Sequence, residues 1–240
     1  MTAVRIVHTS DLHLDSGWSA PFSEQDRAGR ALQALIDLTK EVRADMLIVA
    51  GDVFDHNHVR PEVILSVFRE FARAEVPVVL LPGNHDCLRE ESVYRRALSD
   101  MTAIAPNCAV FSNPAGESIT FPHLDLAVWG QPLLDYGGAQ RPLAAIPQRG
   151  PELWQIAMAH GHYTGDHHDS SRSFLISRDE LIATQRDYVA LGHWEMFLPV
   201  MERPVPAVYS GAPLRMKAAT LVELDSVQGV KVSQVSLRIP

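Results

Sequence analysis

Short runs of apolar residues alternate along the chain with longer stretches in which apolar positions recur every three or four residues. The first pattern predicts strands and the second amphipathic helices. In the first half, residues 4–8, 46–50 and 76–81 read as strands, and residues 23–42 and 62–73 as helices. The second half is richer in strands, over residues 118–121, 124–129, 154–159, 188–191, 207–209, 221–224 and 230–237. Strands alternating with helices predict one α/β layer system, and this many strands predict two sheets. The stretch 134–151, with Gly137, Gly138, Pro142, Pro147, Gly150 and Pro151, reads as a loop because strand patterns resume after it. Residues 163–172 read as a second, polar loop. No repeat or linker interrupts the pattern, so one domain over residues 1–240 is expected.

Composition narrows the function classes. At 240 residues and 46% hydrophobic content, the chain can bury a substantial core. Lys and Arg number 21 against 29 Asp and Glu, a net charge of −8. That balance disfavours extended nucleic-acid duplex binding, whose usual footprint is a basic surface, and leaves room only for a local basic patch. The first residues run straight into a strand pattern without a charged start, a long apolar stretch and a cleavage site. No segment approaches the roughly 18 uninterrupted apolar residues of a membrane span. A cytoplasmic protein with no membrane attachment is expected. Cys87 and Cys108 lack CxxC spacing and are too few for a disulfide framework, so both read as reduced thiols.

Four of five polar clusters come directly after predicted strands, at the carboxyl edge where open α/β sheets place their ligands. The first is Asp11-Leu12-His13, whose two side chains would share one side of an extended chain. In the second, Gly51-Asp52-Val53-Phe54-Asp55, the glycine frees the backbone and Asp52 can set a carboxylate between two cations. The third, Gly83-Asn84-His85-Asp86, offers a neutral amide oxygen beside a titratable imidazole. His160-Gly161-His162 and Gly192-His193-Trp194-Glu195 complete the set. Each cluster alone is a common turn, but five in order point to a metal site. Its oxygen and nitrogen donors, with no thiolate, suit Mn²⁺, Fe or Zn²⁺.

The order DLH, GDVFD, GNHD, HGH, GH resembles the calcineurin-like metallophosphoesterase family over residues 5–195. Beyond it, Tyr209-Ser210-Gly211-Ala212-Pro213 and a strand pair resemble the end of the nuclease domain in SbcD-type DNA repair exonucleases. The resemblance implies a four-layer α-β-β-α sandwich of two mixed sheets flanked by helices. It implies two divalent metal ions sharing a hydroxide that attacks phosphorus in line, with Mn²⁺ favoured and Fe or Zn²⁺ as alternatives. Asp11 and His13 would hold one ion, Asp52 would bridge, and Asn84, His160 and His193 would hold the other. His162 stays open as an alternative to His160. His85, left out of the ligand set, is implied as general acid or as a stabiliser of developing charge. Asp55 and Asp86 would orient ligands or act as turn formers, and Arg172 would contact substrate phosphate or sit in a solvated loop with Asp166, His167, His168 and Asp169.

One position departs from the family pattern, which reads Gly-His-x-His where this chain has Glu195 in the second His position. A carboxylate there can complete the shell of Asp11 and His13 and favour Mn²⁺, or turn to solvent. The implied activity is phosphate-ester hydrolysis, most closely that of a phosphodiesterase. Action on DNA ends or single strands is the alternative. The sequence carries no evident capping region such as SbcD-type proteins have, and with the −8 charge this weakens the expectation of a duplex nuclease. A second alternative is a binding scaffold on the same fold, against which the intact His85 and Asp52 argue.

Overall fold

A computed structural model of the protein describes residues 3–15, 22, 23, 26–165 and 172–239. In chain order the first half contains β1 (Val4–Thr9), α1 (Arg27–Glu41), β2 (Met46–Ala50), α2 (Pro61–Ala72) and β3 (Val78–Leu81). It continues with α3 (Val93–Arg96), α4 (Leu98–Ile104), β4 (Cys108–Val110), β5 (Glu117–Phe121) and β6 (Leu126–Gly130). The second half adds β7 (Trp154–His160), β8 (His162–Gly165), β9 (Leu175–Ser177), α5 (Arg178–Ala183) and β10 (Tyr188–Gly192). Last come β11 (Leu198–Met201), β12 (Ala207–Tyr209), α6 (Pro213–Met216), β13 (Ala218–Asp225) and β14 (Gly229–Ser236).

Twelve of these strands form two mixed six-stranded sheets, in the orders β14-β13-β1-β2-β3-β4 and β11-β12-β10-β7-β6-β5, and β8 and β9 form a separate pair. Strands β1 to β4 run parallel, as do β6, β7, β10 and β12. Strands β2, β3, β6 and β10 read as continuous apolar runs because both of their faces are covered. Alternate residues of one strand therefore enter different cores: Ile6 and Ile48 face the second sheet, with Val128, Ile156 and Ala190. Val7 and Val49 face outward, against Leu32 and Leu35 of α1 and Phe68 and Phe71 of α2. On the far side of the second sheet, Val189 and Leu191 pack against Ile176 and Leu181. The expected two sheets flanked by helices are thus present. Among the described residues, no helix is long and apolar enough to cross a membrane.

The shifts from the expected boundaries at α1 and β8 have identifiable causes. Helix α1 begins at Arg27 because Asp26 caps it, accepting the Gly29 amide at 2.9 Å. The stretch read as a polar loop from residue 163 instead starts inside β8, which pairs in parallel with β9. Its register links His162 to Leu175 and Tyr163 to Ile176, so the strand is made by pairing that no apolar alternation announces. Residues 166–171 of that loop, including Asp166, His167, His168 and Asp169, lie outside the described residues.

Candidate metal centre

Parallel strands from both sheets direct their carboxyl ends to one place. Asp11 and His13 follow β1, Asp52 follows β2, Asn84 and His85 follow β3, His160 ends β7, and His193 follows β10. The backbone turns sharply here: Asp11, His13, Asp52 and His193 all have positive φ, at 56°, 46°, 54° and 104°. Such conformations cost about 1–3 kcal/mol each in non-glycine residues and persist where the surroundings impose them. Asp11 and His13 therefore do not share one side of an extended strand. Their left-handed backbone sends the two side chains to different neighbours around Asp52.

Asp52 is the centre of the arrangement. One donor atom from each of His13, Asp52 and His85 lies within 4.8 Å of the others, and the same holds for Asp11, Asp52 and His160. Asp52 Oδ2 is 3.2 Å from His160 Nε2 and 3.9 Å from His13 Nε2, while Oδ1 accepts the His85 amide at 2.9 Å. Asn84 Oδ1 lies 3.0 Å from His160 Nε2 and 3.1 Å from His193 Nδ1. Asp11 Oδ2 accepts the His193 amide at 3.1 Å. Around Asp52, Asp11 thus lies in one donor group with His160, and His13 lies in the other with His85.

The imidazoles are oriented from behind. His160 Nδ1 is 2.9 Å from the Ala50 carbonyl, His85 Nδ1 is 2.8 Å from the Asp55 carbonyl, and His13 Nδ1 is 3.0 Å from Asp55 Oδ1. Each oxygen can only accept, so each Nδ1 carries the proton and leaves Nε2 turned toward the centre. That is the support ligating histidines usually receive. Glycines make the close packing feasible: Gly51 has φ +97°, and a Cβ there would collide with the His160 ring.

The electrostatics show that the centre calls for positive charge. Burial raises the Asp11 carboxyl above its ordinary range, against the pull of His160. Burial also opposes charge on Asp52, but His160 and the His85 amide outweigh it and hold the carboxyl at about 2. Burial works against protonation of His160, yet Asp52 prevails and raises it to about 9. The buried Nε2 of His160 thus faces oxygens of both Asp52 and Asn84, a convergence that only a proton or another cation can relieve. His193 goes the other way, lowered to about 4 by burial and by His160, so it is a neutral donor. Converging carboxylate, amide and imidazole atoms without thiolate fit divalent cations well.

Residues 4–194 match the family model for calcineurin-like phosphoesterases. The chain belongs to the calcineurin-like phosphoesterase family. Among solved structures, it is similar to TT1561 of Thermus thermophilus, at 14% identity and a TM-score of 0.65 over 99% of this chain and 100% of that one. It is also similar to an archaeal phosphodiesterase, at 15% identity and a TM-score of 0.52 over 98% of this chain and 100% of that one. At such identities these likenesses show the fold. Members of the family are metal-dependent phosphate-ester hydrolases.

Other expected site residues of this calcineurin-like phosphoesterase lie around the centre in different roles. Asp55 supports both His13 and His85. Asp86 is fully buried and accepts the Gly83, Val53 and Phe54 amides and the Tyr94 hydroxyl, at 2.7, 2.9, 3.2 and 2.6 Å, tying the Asp52 and His85 loops together. Burial and nearby Asp52 push its carboxyl up to about 6. His162 Nδ1 accepts from Trp194 Nε1 at 3.1 Å and belongs to neither donor group. Glu195 also stands outside both groups, its Oε2 3.0 Å from Arg215 Nη1. Arg172 is exposed on the segment before β9.

A cavity of about 550 Å³ opens over the centre, lined by Asp11, His13, Asp52, His85 and His193 together with Glu195, Arg27 and Arg215. The two arginines come from helices without motif spacing, and sequence reasoning missed them. Their one signal was position, since Arg215 falls just after the Tyr209-Ser210-Gly211-Ala212-Pro213 segment.

Proposed function

We propose that the protein is a phosphodiesterase that works at a two-cation centre built around Asp52. The observation that carries this reading is the position of Asp52, whose one carboxylate belongs to two separate groups of potential ligands. Asp11, His13, Asn84, His160 and His193 would complete the two positions, with Asp52 between them. Divalent cations held there would lower the pKa of a coordinated water and offset charge on the phosphoryl oxygens.

The chain's own residues supply the rest. His85 lines the cavity with its side chain 43% exposed, and its Nδ1 is anchored on the Asp55 carbonyl. When protonated, its outward Nε2 can donate to the leaving oxygen of an ester as general acid. Asp55 holds His13 and His85 at right angles, with ring centroids 4.7 Å apart, so one residue fixes a ligand and a proton donor together. Asp86 keeps both loops in place from behind. A nuclease of DNA ends or single strands, of the SbcD type, is the narrower form of this activity.

The test is turnover of bis(p-nitrophenyl) phosphate and of single-stranded and duplex oligonucleotides by protein reconstituted with Mn²⁺. Diester turnover that disappears in Asp52→Asn is expected. A reconstituted protein inert toward every ester would favour the scaffold alternative.

A further inference from the structure

The centre described above is anionic, and the whole chain carries a charge of −8. One wall of the same cavity is cationic instead. Arg27 is the first residue of α1, Arg215 lies in α6, and the two helices pack against each other. Both side chains line the cavity that holds Asp11, His13 and Asp52. Arg27 is exposed, and its side chain makes no hydrogen bond or ion pair with the described residues. Arg215 meets Glu195 through Nη1 alone, with its side chain 62% exposed, so most of its five N–H donors remain directed to solvent. Two guanidinium groups opening into a cavity of nucleotide size would bind a phosphate through paired, charge-assisted hydrogen bonds.

We propose that Arg27 and Arg215 form an anion subsite beside the cation centre, which selects substrates carrying a second phosphate group near the scissile one. Glu195 is then a positioning residue that holds Arg215 over the cavity. The inference rests on the phosphoesterase reading and deepens it by naming a substrate class. Charge supports it on both sides. A second phosphate has no favourable partner among Asp11, Asp52 and Asp55, whereas the α1–α6 wall offers two.

Calorimetry separates this subsite from the cation centre. The probes are adenosine 5′-monophosphate and adenosine 3′,5′-bisphosphate, titrated into the Mn²⁺-reconstituted protein. The parent should bind the bisphosphate at least about tenfold more tightly, the scale of one charge-assisted contact. Arg27→Gln and Arg215→Gln should each reduce that ratio, and the double variant should bring it to about one. Arg215→Lys, which keeps the charge and loses the planar fork, should fall between. If a variant fails to fold, the parent alone decides, because a preference made by exposed arginines must shrink when NaCl is raised about tenfold, which shortens the screening length roughly threefold. A parent without preference, or a preference unchanged in the double variant or by salt, overturns the subsite. Failure to take up Mn²⁺ would instead sink the hydrolase reading, and the arginine contrast is then read on the metal-free protein.

Discussion

His85 Nδ1 lies 2.8 Å from the carbonyl oxygen of Asp55, which fixes the proton on Nδ1 and leaves Nε2 open to the cavity. The carboxylate of the same Asp55 accepts a hydrogen bond from His13 Nδ1 at 3.0 Å. One residue thereby sets the tautomer of two imidazoles with different proposed tasks. Replacing its side chain separates them, because the carbonyl survives the substitution. Asp55→Ala is expected to weaken metal affinity at the His13 position by about 10–100-fold, the usual effect of losing a ligand's supporting carboxylate. Titration calorimetry with Mn²⁺ reads this directly, and an unchanged affinity would remove Asp55 from the support of His13.

His85→Ala should lower diester turnover by about 10²–10⁴, the contribution of a positioned acid or base, while metal content stays near that of the parent. The substrate must have a poor leaving group, since a nitrophenolate leaves without help and would mask the loss. Because His85 shares a donor group with His13 and Asp52, loss of a metal ion in this variant would instead make it a ligand.

Glu195→Ala should take up as much Mn²⁺ as the parent, because its carboxylate pairs with Arg215 and belongs to neither donor group. Elemental analysis after reconstitution checks this. A variant that drops to one ion would restore Glu195 to the ligand set.

Much of this arrangement was legible in the sequence, and the reason is local. An apolar run such as Met46–Ala50 followed at once by Gly51 and Asp52 marks both a buried strand and its polar end. The same holds for Tyr188–Gly192 followed by His193. Where structure depends on distant pairing, the signal disappears. Strand β11 contains Pro199 and pairs with β12 across an irregular register, and β4 has only three residues at the sheet edge. The directions of the Asp11 and His13 side chains were hidden for a related reason, since both residues have left-handed backbone that alternation rules do not anticipate. Arg27 and Arg215 reach the cavity only because α6 packs on α1.

Gly51→Ala should destabilise the fold by at least about 1 kcal/mol from its left-handed backbone alone, and by more because the new methyl meets the His160 ring. Thermal unfolding followed by circular dichroism measures it. A melting temperature equal to the parent's would show that the Gly51–His160 approach is looser than described.

Asp86→Ala leaves three amides and the Tyr94 hydroxyl without their acceptor in a fully buried site. A loss of about 3 kcal/mol or more is expected, against about 1 kcal/mol for Tyr94→Phe, which removes one donor and leaves the other three satisfied. Chemical denaturation of the two variants compares them, and equal losses would contradict the shared-acceptor account.

If Asp52 joins two cation positions, elemental analysis of protein reconstituted with Mn²⁺ and freed of loosely bound metal should find about two ions per chain in the parent and a clear loss in Asp52→Asn. A parent that stays below about one ion per chain after full reconstitution would show that Asp52 joins no such pair.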